Sequence, residues 1–174
     1  MKSVLMSIRA NISATIFKSW TKRLEYRTRW NSDFKGRVYV YESGKDGGKV
    51  AGFFDVGHVF KVNADENLND EVLDWLENLE KTDKHSVTEF FRIKVNSCKS
   101  HYYAIEIKNP HVFKPSITLE EFNSAYKVNV QRAPQSWQYI DTATDYEYGF
   151  TAVPLAAPPE GETPTEQFMK KKER

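Results

Sequence analysis

Thr21-Lys22-Arg23-Leu24-Glu25-Tyr26-Arg27 is the stretch on which the reading of this chain turns. An ammonium, a carboxylate and a guanidinium fall within a few residues of one another, where a helix gives way to a strand. In an extended segment Glu25 and Arg27 share one face, and Leu24 and Tyr26 share the other. Lys22 sits at the entry, where a turn swings its ammonium toward the side of Glu25 and Arg27. Two readings stand side by side. One is a charged mouth, lined by acid and base beside buried rings, that takes a polar, planar ligand. The other is a solvated edge strand whose charges only deter aggregation, and from this stretch alone that reading carries more weight.

Toward the N-terminus, Val4-Leu5-Met6 with Ile8 reads as a short buried strand. Asn11 to Ser19 reads as a helix: Asn11 is its N-cap, Ile12 and Ile16 lie one turn apart on the inner face, and Trp20 closes it against the core. Toward the C-terminus, Trp30 to Gly36 is a loop and Arg37-Val38-Tyr39-Val40-Tyr41 a strand. Gly44 to Gly48 is a hairpin loop. Lys49 to Val62 is a long apolar strand whose Gly52 and Gly57 mark bulges where a sheet curls. Those glycines do not lead into a helix, which excludes a phosphate-cradling loop.

Beyond it, Asn69 to Lys81 is an amphipathic helix with Val72, Leu73, Trp75, Leu76 and Leu79 inward. Ser86-Val87-Thr88-Glu89 reads as a capping box that opens a second helix through Phe90, Phe91 and Ile93. His101 to Lys108 returns to strand. Pro110 and Pro115 bracket a loop, Ser116 and Thr118 precede a helical turn through Leu119 and Phe122, and Ala133 to Tyr139 is a constrained turn into a closing strand. Five or six strands, an N-terminal helix and a two-helix insert predict an α+β chain built on a small open β-barrel.

With 174 residues, residues 1–141 make one domain and residues 142–174 an extension. Asp145 to Val153 adds an edge strand. Beyond residue 154 the Pro158-Pro159-Glu160-Gly161-Glu162 and Lys170-Lys171-Lys172 runs predict disorder. The net charge of +1 excludes a general polyanion binder. The charge is uneven, however: eight basic residues stand against Glu25 and Asp33 in residues 1–35, and eight acids against Lys81 in residues 65–83. Cys98 alone rules out an internal disulfide and fits a reducing compartment. Residues 1–10 do not read as a signal peptide and no apolar run reaches membrane-spanning length, so a cytoplasmic protein without a membrane partner, monomeric by default, is expected. His58, His85, His101 and His111 lack metal spacing, and Cys98-x-x-His101 lacks a partner pair, so no metal and no cofactor is expected.

Five motifs in collinear order resemble the ASCH domains, a branch of the PUA-like β-barrels, in the manner of prokaryotic and phage members. They are Leu5-Met6-Ser7-Ile8-Arg9; Lys22-x-x-Glu25-x-Arg27, which matches the end of the GxKxxExR signature; Gly48-Lys49-Val50-x-Gly52-x-Phe54; Tyr103-Ala104-Ile105-Glu106-Ile107; and Pro134-Gln135-Ser136-Trp137. Two positions depart: Trp20 stands for the signature glycine, and Phe53 for an acidic residue. The resemblance implies binding of RNA, or of a modified nucleoside or nucleotide, in a cleft lined by Lys22, Glu25 and Arg27. Ser7, Arg9, Gln135 and Ser136 are further ligand-binding candidates, and Tyr26 or Trp137 supplies a ring for stacking. Some family members are amidohydrolases of acetylcytidine, with a threonine where Glu25 stands and a glutamate from the helical insert. Others resemble ribonucleases. On that alternative Lys22 and Glu25 are catalytic, Glu25 as general base and Lys22 as oxyanion stabiliser, with Glu80 or Asp83 as second carboxylate.

Overall fold

Six consecutive buried residues, Ser3 to Ile8, give the first strand a covering on both faces. The computed structural model describes residues 1–97 and 99–143 and the backbone of residues 152–154. Cys98, most of the expected edge strand and the proline- and lysine-rich tail lie outside the described residues. In chain order the elements are β1 (Lys2–Arg9), α1 (Ala10–Phe17), β2 (Leu24–Arg27), β3 (Arg37–Ser43), β4 (Lys49–Asn63), α2 (Asp70–Glu80), α3 (Lys84–Asn96), β5 (His101–Thr118), α4 (Leu119–Tyr126), β6 (Trp137–Asp141) and β7 (Ala152–Pro154). The hydrogen-bonded strand order is β2-β5-β4-β3-β1-β6, with β7 on β5, which makes a mixed open sheet of α+β class.

The chain divides into two compact units, the first comprising the described parts of 1–20, 34–57 and 107–156, the second those of 21–33 and 58–106. In the first, β1 runs parallel to β3 from Val4↔Val38 to Arg9↔Ser43 and antiparallel to β6. A parallel pair needs a long crossover, and here the chain leaves after α1 and returns at Phe34. Gly44 and Gly48, both at positive φ, shape the hairpin between β3 and β4. Val40 pairs with Gly52 but Tyr41 with Val50, so Ala51 is the extra residue of a bulge beside the expected glycine. A Cβ on Gly52 would lie 2.1 Å from the His111 carbonyl oxygen, so this position admits only glycine without a shift of backbone. Leu5, Tyr39, Phe53, Phe113, Ile117 and Phe122 form the core of this unit.

The second unit packs α2 and α3 on Leu24, Phe60, Val62, Tyr102 and Ala104. Asn69 caps α2, its side chain accepting from the Val72 amide at 2.9 Å. Several local expectations change. The N-cap of α1 is Arg9, without a side-chain cap, rather than Asn11, and Ile12 is exposed. Leu73 and Phe91 also face outward, because Val72 with Leu76, and Val87 with Phe90, already complete the buried stripes. The helix start is at Asp83, not Ser86: the Asp83 carboxylate accepts from the Ser86 amide at 3.1 Å and from the Ser86 hydroxyl at 2.8 Å. The Pro110–Pro115 loop is strand. Asn109 takes up the left-handed bend at φ 48, a conformation its short polar side chain tolerates, and β5 resumes with Phe113 and Ile117 buried. The helical turn expected after Thr118 is α4, and Thr118 caps it, reciprocated by Glu121. Among the described residues, no helix is long and apolar enough to cross a membrane.

Candidate ligand-binding site

Trp20 turns the chain out of α1 at φ 55, and Thr21 to Arg23 run extended into β2. Pairing with β5 sets Glu25 opposite Ile105 and Arg27 opposite Tyr103, so the two charged side chains stand on one face of the strand. Arg27 directs Nε (3.1 Å) and Nη2 (3.0 Å) at Glu25 Oε1. Lys22 Nζ lies 3.5 Å from Glu25 Oε2, an ion pair without hydrogen-bond geometry. The same ammonium is 3.6 Å from Glu89 Oε1 on α3 and 5.1 Å from the centre of the Tyr26 ring. Lys22 is 8% exposed and Glu25 7%, so the solvated-edge reading fails: these charges are withdrawn from water and compensate each other.

A second network sets where α3 begins. The Arg23 amide donates to Ser86 Oγ at 3.1 Å, and the Arg23 guanidinium lies 3.4 Å from Asp83. Burial lowers the Arg23 pKa to about 10 against the opposing pull of Asp83. With the helix anchored there, Glu89 falls in its second turn and reaches Lys22, while His85 Nε2 comes within 4.0 Å of the other Glu89 oxygen. Besides Glu25, the carboxylate beside Lys22 is Glu89, while Glu80 is exposed and Asp83 is engaged by Ser86 and Arg23. Tyr26 and Tyr102 meet edge to face at 5.9 Å, and neither hydroxyl has a hydrogen-bond partner among the described residues. Burial, with a contribution from the Glu89 charge, raises the Tyr26 pKa strongly, and burial alone pushes Tyr102 up to about 12.

The remaining candidates lie in the first unit. Ser7 is buried in β1; its hydroxyl donates to the Pro134 carbonyl at 2.6 Å and its amide to the Ser136 carbonyl at 2.9 Å. Ser7 thus pins the turn that carries Gln135 and Ser136, both exposed, and Arg9 is exposed at the strand end.

No family model and no curated protein sequence matches this chain. Solved structures do match. The crystal structure of ASCH from Zymomonas mobilis aligns with TM-score 0.54 and 14% identity over 80% of this chain and 87% of that one. A tyrosine-to-phenylalanine variant of that protein aligns with TM-score 0.55 and 14% identity, covering 81% and 91%. A serine-to-alanine variant gives TM-score 0.54 at 14% identity over 80% and 88%. The chain has the ASCH fold.

Seen on the ASCH fold, the two departures from the motif acquire physical content. Trp20 occupies the position of the signature glycine and holds the left-handed φ that glycine adopts without strain. Phe53, where an acidic residue stands in the motif, is buried, with the Arg37 guanidinium 3.9 Å above its ring and His111 stacked on it at 4.7 Å. Arg37 instead finds its carboxylate in Asp55 at 3.1 Å. Sequence reasoning missed Glu89, His85 and Tyr102. The available signal was Asp83-x-x-Ser86, an N-cap pattern that competes with Ser86-x-x-Glu89 and that, once chosen, puts Glu89 inside the helix.

Proposed function

We propose that this ASCH-fold chain binds RNA, or a modified nucleoside or nucleotide, through Lys22, Glu25 and Arg27. The observation that carries the reading is the convergence of the three side chains, at 3.0 Å and 3.5 Å, beside the Tyr26 ring. Arg27 and Lys22 supply donors for a carbonyl or phosphate, Glu25 and Glu89 accept from an amino group, and Tyr26 supplies an aromatic neighbour. Two cations and two carboxylates nearly cancel, so recognition rests on matched donors and acceptors more than on attraction of a polyanion. Ser7, Arg9, Gln135 and Ser136 are further ligand-binding candidates, within the first unit. A cytoplasmic, monomeric protein with no membrane partner belongs to the same reading.

The test is a titration of short single-stranded RNAs and modified nucleosides into wild type and Lys22→Ala at moderate salt. Binding by wild type that falls about tenfold or more in the variant is expected. Equal affinity, or no binding by either, defeats the proposal.

One observation favours a second reading, a small hydrolase of acetylcytidine or RNA: Glu89 on the helical insert stands 3.6 Å from Lys22. Glu25 then takes a proton from the attacking water, Lys22 stabilises the oxyanion, and Glu89 holds the ammonium in place. Turnover of acetylcytidine or RNA that disappears in Glu25→Gln supports it. Absence of product across the panel leaves binding as the function.

A further inference from the structure

We infer that the first unit carries a separate binding site, for a small nucleotide-sized anion that bears an amino group, in a cavity between α1, β3, β4 and β5. The cavity, open to solvent on one side, offers about 530 Å³, within the range of small-molecule sites. Its apolar wall is Phe17, Ala51, Val112 and Phe113; its charged groups are Lys18, Lys114 and Glu42. None of these belongs to the Lys22–Glu25–Arg27 cluster.

The lining carries charge of both signs. Ser13, fully buried on α1, donates to Glu42 Oε1 at 2.8 Å and so fixes the carboxylate. Among the described residues, the other Glu42 oxygen and the ammonium groups of Lys18 and Lys114 have no ion-pair or hydrogen-bond partner. Glu42 shares the lining with two lysines, yet its side-chain hydrogen bond comes from Ser13. Two ammonium groups match a dianionic phosphate monoester, and the held carboxylate accepts from an exocyclic amino group. The apolar wall takes the flat body of the ligand. A ligand that presents a carbonyl to Glu42 sets oxygen against oxygen, so the site selects amino over keto bases.

The test compares cytidine and uridine monophosphates by calorimetry and by amide chemical-shift mapping on the full chain. Cytidine monophosphate is expected to shift signals around Phe17, Val112 and Phe113 and to bind about tenfold tighter than the uridine counterpart. Lys114→Ala, at an exposed position, lowers that affinity about tenfold, and Glu42→Gln removes the preference for cytidine. No binding to wild type, equal affinity for the two nucleotides, or shifts confined to residues around Lys22 would overturn the inference.

Discussion

Lys22 and Glu89, one at the entry of β2 and the other on α3, form an ion pair at 3.6 Å, while Glu25 lies 3.5 Å from the same ammonium. One cation therefore separates two carboxylates in a place where water has little access. Removing it leaves Glu25 with Arg27 and, among the described residues, Glu89 with only His85 at 4.0 Å. Lys22→Ala should cost about 3 kcal/mol in urea unfolding, since breaking a buried pair strands its partner. The double change Lys22→Met with Glu89→Gln should recover part of that loss. If Lys22→Ala unfolds at the wild-type midpoint, the cluster contributes nothing to the fold.

The positive φ of Trp20 inverts an ordinary ranking. Glycine is normally worse than alanine within a folded chain, but a left-handed position penalises any Cβ by about 1 kcal/mol or more. Trp20→Gly is expected to be more stable than Trp20→Ala by about 1 kcal/mol, both having lost the half-buried indole. Thermal melts that rank alanine above glycine would contradict this account of the turn.

Gly52 is a case of space, not of backbone freedom. The 2.1 Å approach of the His111 carbonyl leaves no room for a methyl group, and Phe17 crowds the same point at 3.0 Å. Gly52→Ala should destabilise by about 3 kcal/mol or prevent folding. A variant within about 1 kcal/mol of wild type would show that β4 and β5 separate easily at this point.

Four tyrosines set the alkaline limit. Burial is the leading cause that raises Tyr26, Tyr39, Tyr102 and Tyr126, Tyr102 from 10.0 to about 12. Their folded pKa values lie above the unfolded ones, so their contribution is intact below pH 10 and is lost as pH climbs through the folded values. Arg23 acts oppositely: its folded pKa is depressed to about 10, so over the same range the unfolded chain holds the extra proton and stability rises. One partly exposed arginine is outweighed by four phenols, and stability should fall from pH 10 upward. Tyrosinate absorbance should rise together with loss of circular dichroism. Normal phenol titration in the intact fold would refute it.

Local signals in the sequence carried much of the fold. The Asn69 and Thr118 caps, the glycine hairpin before β4, the bulge by Gly52 and the shared face of Glu25 and Arg27 each depend on residues within one turn or one strand. Hydrogen bonds to near neighbours and the two-residue strand period suffice to set such features. Lys22, Glu25 and Arg27 were legible as a group for the same reason.

The start of α3, the outward aspect of Leu73 and Phe91, the continuation of β5 past Pro110 and the partner of Lys22 belong to the tertiary structure alone. Each was a choice between alternatives of similar local merit. Asp83 and Ser86 are both good caps, and only the Arg23 network, reaching from a distant part of the chain, selects the first. That selection carries Glu89 to the ammonium of Lys22. Pairings between remote residues decide the register of a helix whenever its own sequence permits more than one, and here that register completes the charged cluster.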